Sequence, residues 1–146
     1  MAWIDRLWRS ETLPVLEASM GFAHQRHLVL LNNIANLETP FYKRQDLAAG
    51  QFFGELRRAI EERRQRQGGD LQMRSSRDVR FEDGIYPRAR RIAGREWGPE
   101  RHDENSVTAE KEMAELAKNG IYMEILQRLF KQKLTTYRSA LRDRVA

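Results

Sequence analysis

Two histidines three residues apart, His24 and His27, have the spacing with which a helix can hold a metal ion. No carboxylate falls at a neighbouring turn except Glu17, which lies one face away on the predicted helix. His27 also falls on the apolar stripe described below. We therefore expect both histidines to be packing or surface residues, and we predict no metal site.

The remaining groups that could carry chemistry have simpler explanations. Glu110, Glu112 and Glu115 line the opening of a predicted helix, where the helix dipole and solvation account for them. The glycines at 68–69 and Gly94 are not followed by a helix start with a lysine, so they predict no phosphate-binding loop. The chain has no cysteine, which excludes disulfides, thiolate zinc sites and a cysteine nucleophile. We predict no catalytic residues and no cofactor, and hence no enzyme.

The composition favours elongated helices over a round globule. The 146 residues fit one domain, 1–146, of which 40% are hydrophobic and 32% charged. The mean hydropathy of −0.74 predicts a thin core. Charges interrupt the first eight residues early, so they do not form a cleavable signal peptide. No stretch approaches the roughly 20 apolar residues of a membrane span, so we expect no direct span.

The positive charge is concentrated in the middle of the chain. The net charge is +5, and residues 50–101 contain 13 arginines against 9 acidic residues. Charges of both signs are interleaved there, which is typical of a solvated surface. The alternative is a coiled-coil adaptor whose basic middle binds nucleic acid or acidic lipid.

An N-terminal helix is predicted over residues 12–36. Thr12 can cap it, Pro14 is tolerated in its first turn, and Pro40 prevents its continuation. A shorter amphipathic turn precedes it, with Ile4, Leu7 and Trp8 on one face. Steps of three and four, the spacing of a coiled-coil seam, connect a stripe of apolar or small residues: Leu13, Leu16, Met20, Ala23, His27, Leu30 and Ile34.

Residues 37–104 form a loop and a variable middle region. Phe52, Phe53, Leu56 and Ile60 predict a second helix that ends at the glycines of 68–69, with residues 61–66 on its far face. Further on, Val79 and Phe81 alternate with charged residues, Asp83-Gly84 suggests a tight turn, and Ile85-Tyr86 can pair back. This pattern predicts a short β-hairpin in an otherwise irregular region.

The C-terminal helix, predicted over residues 106–144, has the clearest pattern. Thr108 can cap it, and acidic residues in its first turn suit the helix dipole. Its predicted seam is Met113, Leu116, Gly120, Met123, Gln127, Phe130, Leu134, Tyr137 and Leu141. We therefore predict a mainly α fold in which the long terminal helices pack as an antiparallel, coiled-coil-like pair and the middle projects. Apolar residues off the seam should face other subunits: Val29, Leu31, Ile121, Ile125 and Leu129.

Two motifs resemble those of a known family. The run Asn33-Ile34-Ala35-Asn36-Leu37-Glu38-Thr39-Pro40-Phe41-Tyr42-Lys43 resembles the signature of flagellar rod and hook proteins, with Phe41 where that family usually has glycine. The second run, Glu112-Met113-Ala114-Glu115-Leu116-Ala117-Lys118-Asn119 with Tyr122, is similar to the C-terminal helix of the proximal-rod subunits. Upstream of it, Asp103-Glu104-Asn105-Ser106-Val107 approximates a further family motif. The resemblance covers about residues 12–47 and 103–142.

The resemblance implies a structural subunit of the proximal rod in the bacterial flagellar basal body. Such a subunit would be exported by the flagellar type III apparatus without a cleaved signal and would assemble in the periplasm. Its partners would be other rod subunits, in homo- and hetero-oligomers, with ring and export-gate proteins of the inner membrane at the rod base, and no nucleic acid. Its terminal helices would transmit torque and line the export channel. The predicted assembly residues are Asn33, Ile34, Ala35, Asn36, Thr39, Pro40, Tyr42, Glu112, Met113, Leu116, Ala117, Asn119, Tyr122, Phe130, Leu134 and Tyr137.

Overall fold

The structure is a computed structural model that describes residues 12–82, 86–89, 91–93 and 108–142. Helix α1 (Leu13–Ala35) follows Thr12 and ends at Asn36, which matches the predicted helix. Proline is accommodated in its first turn, and the Thr12 side chain makes no capping hydrogen bond. The amphipathic turn predicted near the start of the chain, the turn at Asp83-Gly84 and the motif at 103–107 lie outside the described residues.

The middle of the chain contains a helix and two strand pairs. Strand β1 (Gln45–Leu47) leads into helix α2 (Ala49–Gln65). Strands β2 (Val79–Glu82) and β3 (Tyr86–Ala89) pair antiparallel, which confirms the predicted hairpin. Strand β4 (Arg91–Ala93) pairs antiparallel with β1, a long-range pairing that the sequence pattern did not predict.

Helix α2 ends close to the two glycines, as predicted, but the first residue with a left-handed backbone conformation is Gln67. Gln67 has a φ of 53° and Gly68 one of 126°. The amide of Gly68 donates to the carbonyl of Arg63 at 3.1 Å, and the amide of Gln67 donates to the carbonyl of Arg64 at 3.0 Å. This pair of hydrogen bonds is a Schellman motif, which satisfies the last carbonyls of the helix.

Helix α3 (Ala109–Arg142) begins directly after Thr108 and packs antiparallel along α1. The direction follows from the contacts, because Asn33 at the end of α1 reaches Glu112 and Ala23 reaches Asn119. Half-buried side chains surround a small apolar cluster between the two helices, made of Leu16, Ala23 and Leu126. The predicted pairing of the terminal helices is confirmed.

The larger core lies between α1 and the middle of the chain, so the expectation of a projecting middle is wrong. Phe22 of α1 stacks on Phe52 of α2 with ring centroids 4.2 Å apart. Ala18, Phe22 and Val29 give α1 a second apolar face beside its seam, and the middle buries that face. Val29 therefore faces the core and not other subunits. The middle contributes Leu47, Ala48, Phe52, Leu56, Ala59, Leu71, Met73 and Val79 to this core.

Six of the nine predicted seam residues of α3 are half-buried, and the other three are exposed. Half-buried positions include Leu116, Met123, Phe130, Leu134 and Tyr137, as predicted. Gly120 is half-buried as well, whereas Met113, Gln127 and Leu141 are exposed. The buried stripe instead passes one residue earlier, through Glu112, Asn119 and Leu126. Heptad counting follows apolar residues, so it could not detect a stripe that buries a carboxylate and an amide.

Candidate assembly interface

The side-chain amide of Asn33 connects the two sequence motifs. This residue is fully buried at the end of α1. Its Nδ2 donates to the Gln45 carbonyl at 2.7 Å and to Glu112 Oε2 at 3.0 Å. Its Oδ1 accepts from the Tyr42 hydroxyl at 3.0 Å and from the Gln45 amide at 3.1 Å. The amide therefore uses its full hydrogen-bonding capacity and serves as a partner for the first residue of β1.

A buried carboxylate completes this junction from the side of α3. Glu112 is 1% exposed, and its Oε1 accepts from Nε of Arg44, which is 3% exposed. The Arg44 guanidinium also lies 3.5 Å from Asp46 Oδ2. Charges this deeply buried need partners, and the first turn of α3 meets the chain after α1 through such a pair. The interpretation of Glu112 by dipole and solvation alone is therefore wrong.

A second arginine links α1 to both neighbours. Arg26 donates from Nε and Nη2 to the two carboxylate oxygens of Asp46, each at 2.9 Å, and its Nη2 lies 3.1 Å from Glu115 Oε2. Burial would raise the pKa of Asp46, but the hydrogen bonds and charge of Arg26 outweigh it and the pKa is lowered. The pKa of Glu115 is also lowered, first by its hydrogen bond from Lys118 and then by the charge of Arg26.

Farther along the pair, Asn119 sets the close approach of the two helices. Its Nδ2 donates 2.9 Å to the main-chain carbonyl of Ala23 in the middle of α1. Both residues are buried, and the small alanine leaves room for the amide. We call the set Asn33, Arg44, Glu112, Arg26, Asp46, Glu115 and Asn119 the polar junction.

The corner after α1 is fixed by short hydrogen bonds. Asn36 Nδ2 donates to the carbonyl of Asn32 at 2.8 Å, and the Thr39 hydroxyl donates to Asn36 Oδ1 at 3.1 Å. Phe41 has a φ of 60°, the left-handed region that favours glycine, and its side chain is 70% exposed. The corner therefore keeps a conformation suited to glycine even though phenylalanine occupies it.

The predicted assembly residues divide into three groups. Those that build the polar junction or its corner are Asn33, Asn36, Thr39, Tyr42, Glu112 and Asn119. Those half-buried along α1 or α3 are Ile34, Leu116, Tyr122, Phe130, Leu134 and Tyr137. Those that point outward are Ala35, Pro40, Met113 and Ala117.

An exposed apolar row runs along α3 and ends at Leu129, beside a groove between the three helices. Its members recur every four residues, so they form one continuous ridge on the helix. Ile121 and Ile125 are 60% and 49% exposed, as the sequence predicted for off-seam residues. We call the following residues the α3 row: Met113, Ala117, Ile121, Ile125 and Leu129.

Sequence reasoning missed the arginine side of the polar junction. Arg26 falls within a helix that was interpreted mainly by its apolar residues. Arg44 and Asp46 follow the first motif, Arg44 just before the three-residue strand β1 and Asp46 within it. A usable signal was present, because Glu112 and Glu115 lie three apart on one helix face and require basic partners if that face is buried.

The described residues offer few other candidates for a site. A groove of about 360 Å³ lies between the three helices and is lined by Val15, Leu16, Ile60 and Leu129 with a polar rim. Across the described part of the chain, no group of three or more His, Asp or Glu side chains could hold a metal ion. None of the described helices is long and apolar enough to cross a membrane.

No family model matches the chain. It is 28% identical over 126 residues to the flagellar basal body rod protein FlgB of Aquifex aeolicus (strain VF5), which covers 86% of this chain and 88% of that protein. The aligned length is longer than either motif, so the similarity extends well beyond the residues that carried the resemblance. This similarity agrees with the resemblance read from the two terminal motifs: over most of its length the chain is similar to a flagellar basal body rod protein.

Proposed function

We propose that the chain is a structural subunit of the bacterial flagellar rod, near the rod base, and that it has no catalytic role. The similarity to a basal-body rod protein supports the general role. The finer proposal is that it is exported by the flagellar type III apparatus to the periplasm and polymerises with other rod subunits above the inner-membrane ring and export gate. The terminal helices would then transmit torque and surround the export channel.

The observation that carries this proposal is the α3 row. A helix of 34 residues buries only three of them against the described chain, and it leaves a ridge of large apolar side chains outside. Exposed apolar ridges of this kind commonly mark protein–protein contacts. The polar junction holds α3 in one register on α1, so the row is presented as a rigid surface.

Motility tests the proposal. The substitution Ile121→Asp should abolish swimming and rod assembly while expression and helix content stay unchanged, because the residue is largely exposed. Gln127→Asp, on the same helix and also exposed, is the matched control and should leave swimming intact. A fully motile Ile121→Asp strain with complete basal bodies would contradict the proposed role of the row.

Substitutions at half-buried seam residues of α3 test the pairing of the terminal helices separately. Phe130→Asp and Leu116→Asp should also stop motility, but through the contact with α1, so helix content or thermal stability should fall with it. A motile strain carrying either change would count against the pairing of the terminal helices as the basis of assembly.

Ion pairs of two arginines in the middle of the chain weaken the alternative of an adaptor that binds nucleic acid or acidic lipid. Arg58 pairs with Glu55 and Glu62, and Arg74 also lies 3.2 Å from Glu62. Binding to DNA or to anionic vesicles that weakens steeply with added salt would favour this alternative.

A further inference from the structure

The inference starts from the ring of Phe41, at the corner after α1. The side chain is 70% exposed, more than any other large apolar side chain among the described residues. Its backbone is left-handed, and hydrogen bonds of Asn36, Thr39 and Tyr42 hold the corner around it. Strained backbone is found most often at functional sites, and aromatic rings are frequent anchors of protein–protein contacts.

The groove between the three helices offers an apolar site of sufficient size. Its volume is about 360 Å³, and its apolar lining comes from Val15 and Leu16 of α1, Ile60 of α2 and Leu129 of α3. A cavity of roughly 150 Å³ is enough for a benzene ring. The groove can therefore accept a phenylalanine side chain together with part of a neighbouring residue.

Phe41 cannot reach the groove of its own chain. The groove lies at the start of α1, whereas the ring follows the end of that helix. Leu16 and Asn36 are separated by about 20 residues, which at about 1.5 Å per residue gives about 30 Å. This distance is several times the length of a phenylalanine side chain. The ring and the groove can therefore meet only between two molecules.

The free charges beside the ring and the groove have opposite signs. Glu38 is exposed on the same corner as the ring, and Arg64 and Lys133 line the groove. Within the described ranges, none of these three side chains has an ion-pair or hydrogen-bond partner, whereas Lys43, next to the corner, already interacts within the chain. Unlike charges favour contact between a corner and a groove over contact between two corners or two grooves.

We propose that Phe41 of one copy inserts into the groove of a second copy and brings Glu38 beside Arg64 and Lys133. This inference rests on the proposed function, and it adds a contact made by neither the α3 row nor the polar junction. The ring and the groove lie at opposite ends of α1, so the contact is heterologous and each added copy leaves one ring and one groove free. A glycine at position 41, as the resembling family usually has, could not make this contact.

Disulfide cross-linking tests the contact directly, because the chain has no cysteine of its own. Pro40→Cys places a thiol beside the ring, and Thr136→Cys places one at the groove. A mixture of these two variants should form the mixed disulfide dimer faster than either variant forms its homodimer. Gln127→Cys, exposed on α3 outside the groove, replaces Thr136→Cys as the control and should show no such preference.

Adding Phe41→Gly to the Pro40→Cys chain gives the matched comparison. Loss of the buried ring should slow formation of the mixed dimer by roughly 10-fold to 100-fold. The same substitution relieves the left-handed backbone, so the isolated chain should unfold at a higher temperature. A weaker contact between more stable chains distinguishes a ring that binds from a ring that only supports the fold.

An exchange of charges tests the pairing beside the ring. Glu38→Arg and Arg64→Glu should each weaken self-association severalfold at low salt, measured by sedimentation over a range of concentrations. The chain that carries both substitutions should regain the association of the unchanged chain. Helix content by circular dichroism shows whether each variant is folded.

Three outcomes would overturn the inference: a mixed-dimer rate that Phe41→Gly does not change, a Pro40→Cys homodimer that forms faster than the mixed dimer, or a faster disulfide between Trp8→Cys and Thr136→Cys within one chain. The last outcome would assign the groove to the first residues of the same chain. None of them would decide the rod assignment, which the motility of Ile121→Asp tests in cells containing the other rod subunits.

Discussion

The two covered faces of α1 are held by different kinds of interaction. The face toward the middle of the chain buries aromatic and aliphatic side chains around Phe22 and Phe52. The face toward α3 buries a smaller apolar cluster and relies on the polar junction. Apolar burial is tolerant of register, whereas hydrogen-bonded charges are not. The comparison shows that the two sequence motifs lie where alignment has to be specific, and the generic core lies elsewhere.

The largest expected effect is on the apolar face. Phe52→Ala removes a fully buried ring that stacks on Phe22, which should lower the free energy of unfolding by about 3–5 kcal/mol. Denaturant unfolding followed by circular dichroism measures this loss. Phe53→Ala, at a partly exposed ring in the same helix, should cost clearly less. Equal losses would show that the core is not centred on Phe52.

The second-largest expected effect is on the face of α1 that packs against α3 through the polar junction. Glu112→Gln removes the carboxylate to which buried Arg44 donates, which should cost about 3 kcal/mol. Because the apolar face is untouched, hydrogen exchange should accelerate first in α3 and only later in α2. Glu110→Gln, exposed in the same turn, is the control and should change little. Uniform acceleration in both helices would mean that the two faces unfold as one unit.

Acid should loosen the polar face before the apolar one. The carboxyls of Asp46 and Glu115 have pKa values lowered in the folded state, so their contribution is complete above their unfolded values near 4 and is lost as the pH falls through the folded values. Proteolysis of α3 should therefore increase below about pH 4 while the core persists. In the Glu112→Gln variant, the increase in proteolysis of α3 should begin at a higher pH. A rate of α3 cleavage that does not change with pH would contradict the stabilising role of the Asp46 and Glu115 carboxylates.

The smallest effect concerns the corner that leads from α1 to the polar junction. Phe41→Gly relieves a left-handed phenylalanine and should raise the free energy of unfolding by about 1 kcal/mol. The gain appears in thermal unfolding. Pro40→Gly, next to it, has no such strain to relieve and should not stabilise. A loss of stability on Phe41→Gly would indicate that the exposed ring makes contacts that outweigh the strain.

The fold was predictable from sequence wherever one periodicity dominated. The bounds of α1, the end of α2 and the β2–β3 hairpin followed from prolines, glycines and alternation. The pairing of β1 with β4 did not, because three residues on each side carry too little pattern for a long-range contact.

The heptad pattern predicted only one of the two buried faces of α1. A stripe assumes one buried face, whereas Ala18, Phe22 and Val29 form a second one. For the same reason Arg63, placed on the far face of α2, is buried in the structure. Polar residues, Glu112 and Asn119, occupy buried positions on α3. A seam predicted from apolar residues alone was therefore shifted by one residue at these positions.

The order of charges along α3 restricts how far the helix can slide on α1. Glu112 and Glu115 meet Arg44 and Arg26, and Lys118 follows one turn later. A slide of three residues would bring Glu115 to Arg44 but would also bring Lys118 against Arg26, so the attraction gained at one arginine would be opposed by repulsion at the other. Only one alignment satisfies both arginines, and a chain that folds from an extended state is thereby directed away from its nearest misaligned hairpin.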